Sequence, residues 1–220
     1  MRNIFTFMLM GLFYCVTALG QSLYGYRIVP SAQQGMVSFS PETPSVVTSI
    51  NNYREFDSFR FDYTTIVAGE FVKGDYYYSS LYGSTAIYPG TLTRLNTDNW
   101  EVVASRQCTD PYSWPYDMAA LDDMSYDYTT DILYGLLYSA TEAYLVKIDT
   151  KTLDYTYDPN VNLIRKGLRN FAFDLDGTCY AIGYDNNLYT LNPNTGAVVL
   201  IGSTDVDVTN SYRRGMAFNH

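Results

Sequence analysis

The one histidine of the chain, His220, is its last residue, and this removes most hydrolytic chemistry at the outset. A Ser-His-Asp or Cys-His relay needs an imidazole held between a nucleophile and an orienting group, and HExxH-type zinc sites need two. Cys108 and Cys179 have no neighbouring cysteine with which to form a metal knuckle, and no GxGxxG or Walker-type loop occurs. The carboxylates remain. Asp174 and Asp176, in Phe-Asp-Leu-Asp-Gly-Thr, stand at i and i+2 ahead of Gly177, like the front of a calcium loop. The twelfth position of such a loop is Asp185 rather than glutamate, which makes them weak metal candidates. The preferred reading is a hairpin turn, made by Asp176-Gly177 and capped by Asp174. Asp122, Asp123 and Asp127 offer the paired acids that glycosidases use, but Asp127 reads as a repeat counterpart of Asp174 and so as structural. No catalytic residue and no cofactor is assigned.

Binding chemistry is concentrated in the connecting segments. These hold Tyr53, Arg54 and Phe59, then Trp114 and Tyr116, then Arg165, Lys166 and Arg169, and finally Tyr212, Arg213 and Arg214. Aromatic platforms interleaved with arginine, on a chain of net charge −9, suit a carboxylated glycan or an acidic peptide. Tyr53, Trp114, Tyr116, Arg165, Arg169, Tyr212 and Arg213 are the candidate ligand-binding residues, and they are expected to share one face. The plainer alternative is surface decoration and aromatic packing.

The elements that would position them are short strands. Leu168–Asn219 reads as four apolar runs separated by Gly/Asn/Asp turns, an up-and-down antiparallel unit. Three marks repeat along the chain. An acid or amide closes strand one, at Glu70, Asp127, Asp174 and Asn219, spaced 57, 47 and 45 residues apart. A strand-two tyrosine falls at Tyr24, Tyr77, Tyr134 and Tyr180, spaced 53, 57 and 46 apart. A polar turn follows strand three, after Phe39, Leu95, Ile148 and Leu191. Four-stranded units at such periods predict an all-β fold, a β-propeller-type array of about four antiparallel blades. A sandwich of hairpins is the competing architecture.

The blades are expected at about 23–50, 66–105, 118–157 and 168–203. The first lacks a strand one, whereas 215–219 is a strand one without a successor. Either the C-terminal strand closes a four-bladed ring or the chain is cut from a larger propeller. Both readings stand.

Units such as FAFDLDGTCYAIGYDNNLYTLNPNTGAVVLIGST and AYLVKIDTKTLDY resemble the secreted β-propeller repeat proteins of Bacteroidetes and, more distantly, quinoprotein-like and Kelch-like propellers. The resemblance implies export, often within a larger surface protein, and carries over no catalytic residue. The repeated tryptophan docking motif is missing, since only Trp100 and Trp114 occur.

Residues 1–20 read as a secretory signal peptide, with Arg2 before an apolar run and Ala18-Leu19-Gly20 as the cleavage site. The mature chain, 21–220, is expected to be a single domain that is exported to the periplasm, cell surface or medium, with no membrane insertion after cleavage. Export permits a Cys108–Cys179 disulfide, and a free buried Cys179 is the equal alternative. The acidic balance argues against nucleic-acid binding. The 23 tyrosines fit half-buried strands. The expected function is a non-catalytic binding or scaffold module for a glycan or an extracellular protein. Its rivals are a His-independent glycan lyase or hydrolase and a spacer fragment of a larger surface protein.

Overall fold

The computed structural model describes residues 22–27, 35–50, 65–82, 91–107, 121–138, 142–156, 163–204 and 216. They divide into two units, Met1–Asp62 and Tyr63–His220. The expected signal peptide and the strand expected at 215–219 lie outside the described residues, apart from Met216.

Among the described residues all regular structure is β, in four antiparallel sheets of the propeller-blade kind. The first unit holds β1 (Leu23–Arg27), β2 (Gly35–Ser40) and β3 (Thr43–Ser49), paired in that order among the described residues. The second unit begins with β4 (Thr65–Val72), β5 (Tyr76–Tyr82), β6 (Thr91–Asn96) and β7 (Val102–Gln107) in one meander. Next come β8 (Asp123–Asp127), β9 (Ile132–Tyr138) and β10 (Ala143–Ile148). The outer place of this sheet is shared by β11 (Tyr155–Thr156) and β12 (Leu163–Ile164), which pair with opposite ends of β10. The third blade therefore reaches Ile164, past the boundary at 157. The last meander is β13 (Leu168–Phe173), β14 (Cys179–Gly183), β15 (Asn187–Leu191) and β16 (Val198–Ser203).

The three sheets of the second unit stack in sequence, so their middle strands are apolar on both faces. One core joins Ala68, Val72, Tyr78 and Leu92 to Met124, Tyr126, Leu133, Val146 and Ile148. The other joins Tyr134, Leu136 and Leu145 to Phe171, Phe173, Cys179 and Ala181. Each large side chain fully buried here stabilises by roughly 1.5–3 kcal/mol, which no single sheet could gain alone.

The turn after strand three is the most regular device. Asn96, Asp149 and Asn192 each accept, through Oδ1, an amide two residues on, from Asp98, Lys151 and Asn194. Their carbonyls accept the amides of Trp100, Leu153 and Gly196, and these three residues all have positive φ, of 59°, 61° and 69°. Ser40 makes a shorter version, with its Oγ accepting from Glu42. An Asx side chain thus bends the backbone in every full blade.

Aligning the blades on this turn corrects two of the expected marks. Leu95, Ile148 and Leu191 face Tyr77, Leu133 and Cys179 on strand two, and Phe39 faces Leu23. The equivalent tyrosines are therefore Tyr24, Tyr78, Tyr134 and Tyr180, so Tyr77 is one residue out and points to the other face. Across to strand one, Tyr78, Tyr134 and Tyr180 face Glu70, Ser125 and Ala172. Glu70 is thus the counterpart of Ser125, and Val72 occupies the place of Asp127. Side chains alternate with period two, so a slip of one residue exchanges faces and a slip of two is hidden by the alternation.

Candidate functional site

Alternate turns lie at opposite ends of each meander, and in the second unit the tight ones gather at a common end. Lys73 Nζ bridges both Asp131 carboxylate oxygens at 2.6 and 2.7 Å. Tyr78 Oη and Arg94 Nη1 both donate to the Thr150 carbonyl, at 2.9 and 2.7 Å. Other acids at this end accept from the backbone. Asp174 Oδ1 accepts the Leu175 amide and Asp176 Oδ1 the Thr178 amide, around Gly177 at φ 83°. This is the turn reading of the two weak metal candidates. Among the described residues, no group of three His, Cys, Asp or Glu side chains is arranged to hold a metal ion. Asp127 accepts the amides and hydroxyls of both Thr129 and Thr130. Burial works to raise its pKa, but these donors prevail and hold it below the ordinary value.

The opposite end brings together the cationic residues just before and at the start of β13. Arg165 is exposed, and the Arg169 guanidinium lies 4.3 Å from the ring centre of Tyr184 in the β14–β15 turn. Lys166 pairs with Asp185 and sits 5.0 Å from the Tyr189 ring, while Tyr189 Oη donates to Asp185 at 2.6 Å. Burial pushes the Asp185 carboxyl upward, yet the donors Lys166 and Tyr189 hold it below the usual range. The same contacts raise Lys166. The Tyr184 amide donates to the Gly167 carbonyl, which fixes this turn beside the 165–167 segment. The sequence reading singled out Arg165, Lys166 and Arg169 but missed Tyr184, Asp185 and Tyr189. The signal for them was the GYDNN turn itself, placed one hairpin later at the same end of the sheet.

Tyr53, Trp114, Tyr116, Tyr212 and Arg213, with Arg54, Phe59 and Arg214, lie outside the described residues. So does Cys108. Cys179 carries a free thiol, buried between the third and fourth sheets, and burial pushes its pKa up.

A third group lines the inner strands. Asp123 Oδ2 accepts the Phe171 amide at 2.9 Å and the Asn170 side-chain amide at 3.2 Å. Ser125 Oγ accepts the Phe173 amide at 3.0 Å. Glu70 stands to Tyr126 as Ser125 stands to Phe173, accepting its amide from one blade further back. Each inner strand thereby satisfies the free edge of the next, which explains why buried polar groups occur in such apolar company. Burial pushes Glu70 up to about 8 and Asp123 up to about 7.

No protein-family model matches the chain, and no curated protein matches it. Solved structures do. The extracellular domain of a hybrid two component system of B. thetaiotaomicron is 15% identical, with a TM-score of 0.49, over 88% of this chain and 22% of its own. A structural-genomics protein of unknown function from the same species is 14% identical, with a TM-score of 0.49, over 81% of this chain and 40% of its own. A luciferin-regenerating enzyme is 10% identical, with a TM-score of 0.50, over 77% of this chain and 56% of its own. The chain thus spans less than two thirds of each, and the likeness concerns fold alone.

Proposed function

We propose that this chain is a non-catalytic, exported binding or scaffold module whose cationic, aromatic end recognises a carboxylated glycan or an acidic peptide. The observation that carries this is the Arg169–Tyr184 stack beside exposed Arg165. A guanidinium held over a ring is pre-oriented, keeps its charge, and presents a planar fork that matches a carboxylate. Lys166 is paired with Asp185, and exposed Arg165 adds its charge to the same end. A strand-borne arginine and a neighbouring turn also provide a more rigid frame than a long loop. The module reading is supported further by the buried acids Glu70 and Asp123, whose oxygens serve backbone amides rather than a cleft. Export rests on the leader-like residues 1–20.

The test is binding of uronate-containing oligosaccharides and acidic peptides to the mature chain, by array and then calorimetry, against neutral counterparts. Arg165→Ala with Arg169→Ala is expected to weaken binding by about tenfold or more, as loss of charge-assisted hydrogen bonds should. Equal binding of neutral and acidic ligands, or an unaffected double variant, would overturn the reading.

A further inference from the structure

One turn holds two of the three cations at the candidate site. The β14–β15 turn sets the Tyr184 ring against Arg169 and, one residue on, the Asp185 carboxylate against Lys166. The Asp185 side chain bends back over Gly183, where a Cβ would stand 2.4 Å from Oδ1, so a residue without one leaves it room. Its Oδ1 accepts the Asn187 amide at 3.4 Å. Its Oδ2 accepts Lys166 Nζ at 2.5 Å and Tyr189 Oη at 2.6 Å.

Lys166 is positioned by more than this carboxylate. Its Nζ lies 5.0 Å from the ring centre of Tyr189, a buried residue, and the Tyr184 amide ties the adjoining Gly167 carbonyl to the turn. The ring and the backbone would therefore still hold the ammonium at this end without Asp185. The Lys166 and Asp185 side chains are 29% and 37% exposed, so a solute reaches both. A pair exposed to this degree is weak and opens to a rival carboxylate. While it is closed, the chain's own acid occupies the lysine, and apparent affinity falls with the fraction of molecules whose lysine is free. Burial works to raise Asp185, but Lys166 and Tyr189 keep it ionised, so the rivalry persists through the neutral range.

We infer that Asp185 is a built-in competitor for Lys166, a third carboxylate-binding cation beside Arg165 and Arg169, and so sets how tightly this end holds its ligand. This rests on the carboxylate-binding reading of the same end. A uronate sugar and an acidic peptide both carry the group concerned.

The experiment is calorimetry of residues 21–220 with tetragalacturonate and, separately, with a tetraglutamate peptide, at one low ionic strength. The responding arm identifies the source of the carboxylate. Asp185→Asn keeps an acceptor for the Asn187 amide and is expected to bind about three- to tenfold more tightly. Lys166→Ala alone is expected to change affinity by less than about twofold, because the lysine is already bridged. In the Asp185→Asn background the same Lys166→Ala should abolish the gain. A general charge effect would instead make Lys166→Ala weaken binding as much as Asp185→Asn strengthens it. Asp176→Asn, the same change of charge at the other end of the blade, should follow wild type. If neither wild type nor Asp185→Asn binds either ligand, the reading of this end and the inference fall together. If wild type binds and Asp185→Asn binds no more tightly, or Lys166→Ala alone weakens binding severalfold, the inference alone falls.

Discussion

Raising the pH is expected to destabilise this fold, because two acids inside it keep their protons unusually long. Burial lifts Glu70 from 4.5 to about 8, although hydrogen bonds from Phe71, Tyr126 and Ser125 act the other way. It lifts Asp123 from 3.8 to about 7 against the amides of Phe171 and Met124 and the side chain of Asn170. The ionisable groups facing them are each other, Asp122 and Cys179 beside Asp123, and Tyr128 beside Glu70. Below roughly pH 4 both folded and unfolded chains hold these protons, and the contribution to stability is complete. As pH rises, the unfolded chain ionises first, and each acid then costs about 1.4 kcal/mol per pH unit until it ionises in the fold as well. A gap of about three pH units makes the total about 4 kcal/mol for one acid. Two neighbouring acids release their protons as a coupled pair, so the combined loss is about 4–8 kcal/mol, a large part of any domain's stability.

The measurement is urea unfolding of residues 21–220, followed by tyrosine fluorescence at intervals from pH 5 to pH 9. The background in this window is quiet. The chain has a single histidine, and Asp127, Asp131, Asp149, Asp176 and Asp185 are all held below their ordinary values and titrate in acid. Between pH 5 and 7 the slope is expected to be about −1.4 to −2.8 kcal/mol per pH unit, for one to two protons. Glu70→Gln combined with Asp123→Asn should flatten it. A wild-type stability that is level or rises with pH, or a double variant with the wild-type slope, would refute the reasoning.

Two further outcomes concern the turns. Asp127→Ala removes the acceptor for both amides and both hydroxyls of Thr129 and Thr130, and is expected to cost about 1–3 kcal/mol in denaturant unfolding. Wild type should also lose this contribution in acid, since the depressed Asp127 pKa gives stability that disappears as pH falls through it. Gly74→Ala and Gly196→Ala both place a side chain at positive φ, 78° and 69°, a strain of about 1–2 kcal/mol. At Gly196 the new Cβ would also lie 2.8 Å from the Leu163 carbonyl oxygen, whereas at Gly74 it meets nothing within 4 Å. Gly196→Ala is therefore expected to be the more costly by about 1 kcal/mol or more. Equal costs would show that the carbonyl gives way.

The polar turn after strand three was the most legible mark because its cause is local. Asn96, Asp149 and Asn192 bend their own backbone with their own side chains, so the residue type and the structure coincide. The strand marks were less secure. Four neighbouring aromatic residues, Tyr76 to Tyr78 beside Phe71, offer no local reason to prefer one register, so the spacing points to Tyr77 whereas Tyr78 is the equivalent. Glu70 resembles an acid that closes a strand, and only its partner Tyr78 shows that it occupies the place of Ser125. At the candidate site, the run Arg165 to Arg169 was visible as charge, but its partners Tyr184 and Asp185 come from the next hairpin.

The sequence by itself determined the all-β class, the repeat and the turn role of Asp174 and Asp176. Each of these depends on alternation or on a side chain acting within a few residues of itself. Tertiary structure alone decided which tyrosines and acids are equivalent, because register is set by the strand opposite, as where Glu70 faces Tyr78 and Tyr77 faces Leu95. It alone put Asp123 and Glu70 at the seams between blades, where an amide of the following inner strand needs an acceptor. It also decided that Val199, Leu200 and Ile201 of β16 are exposed while Leu191 on the neighbouring strand is buried, since burial depends on what packs against a strand.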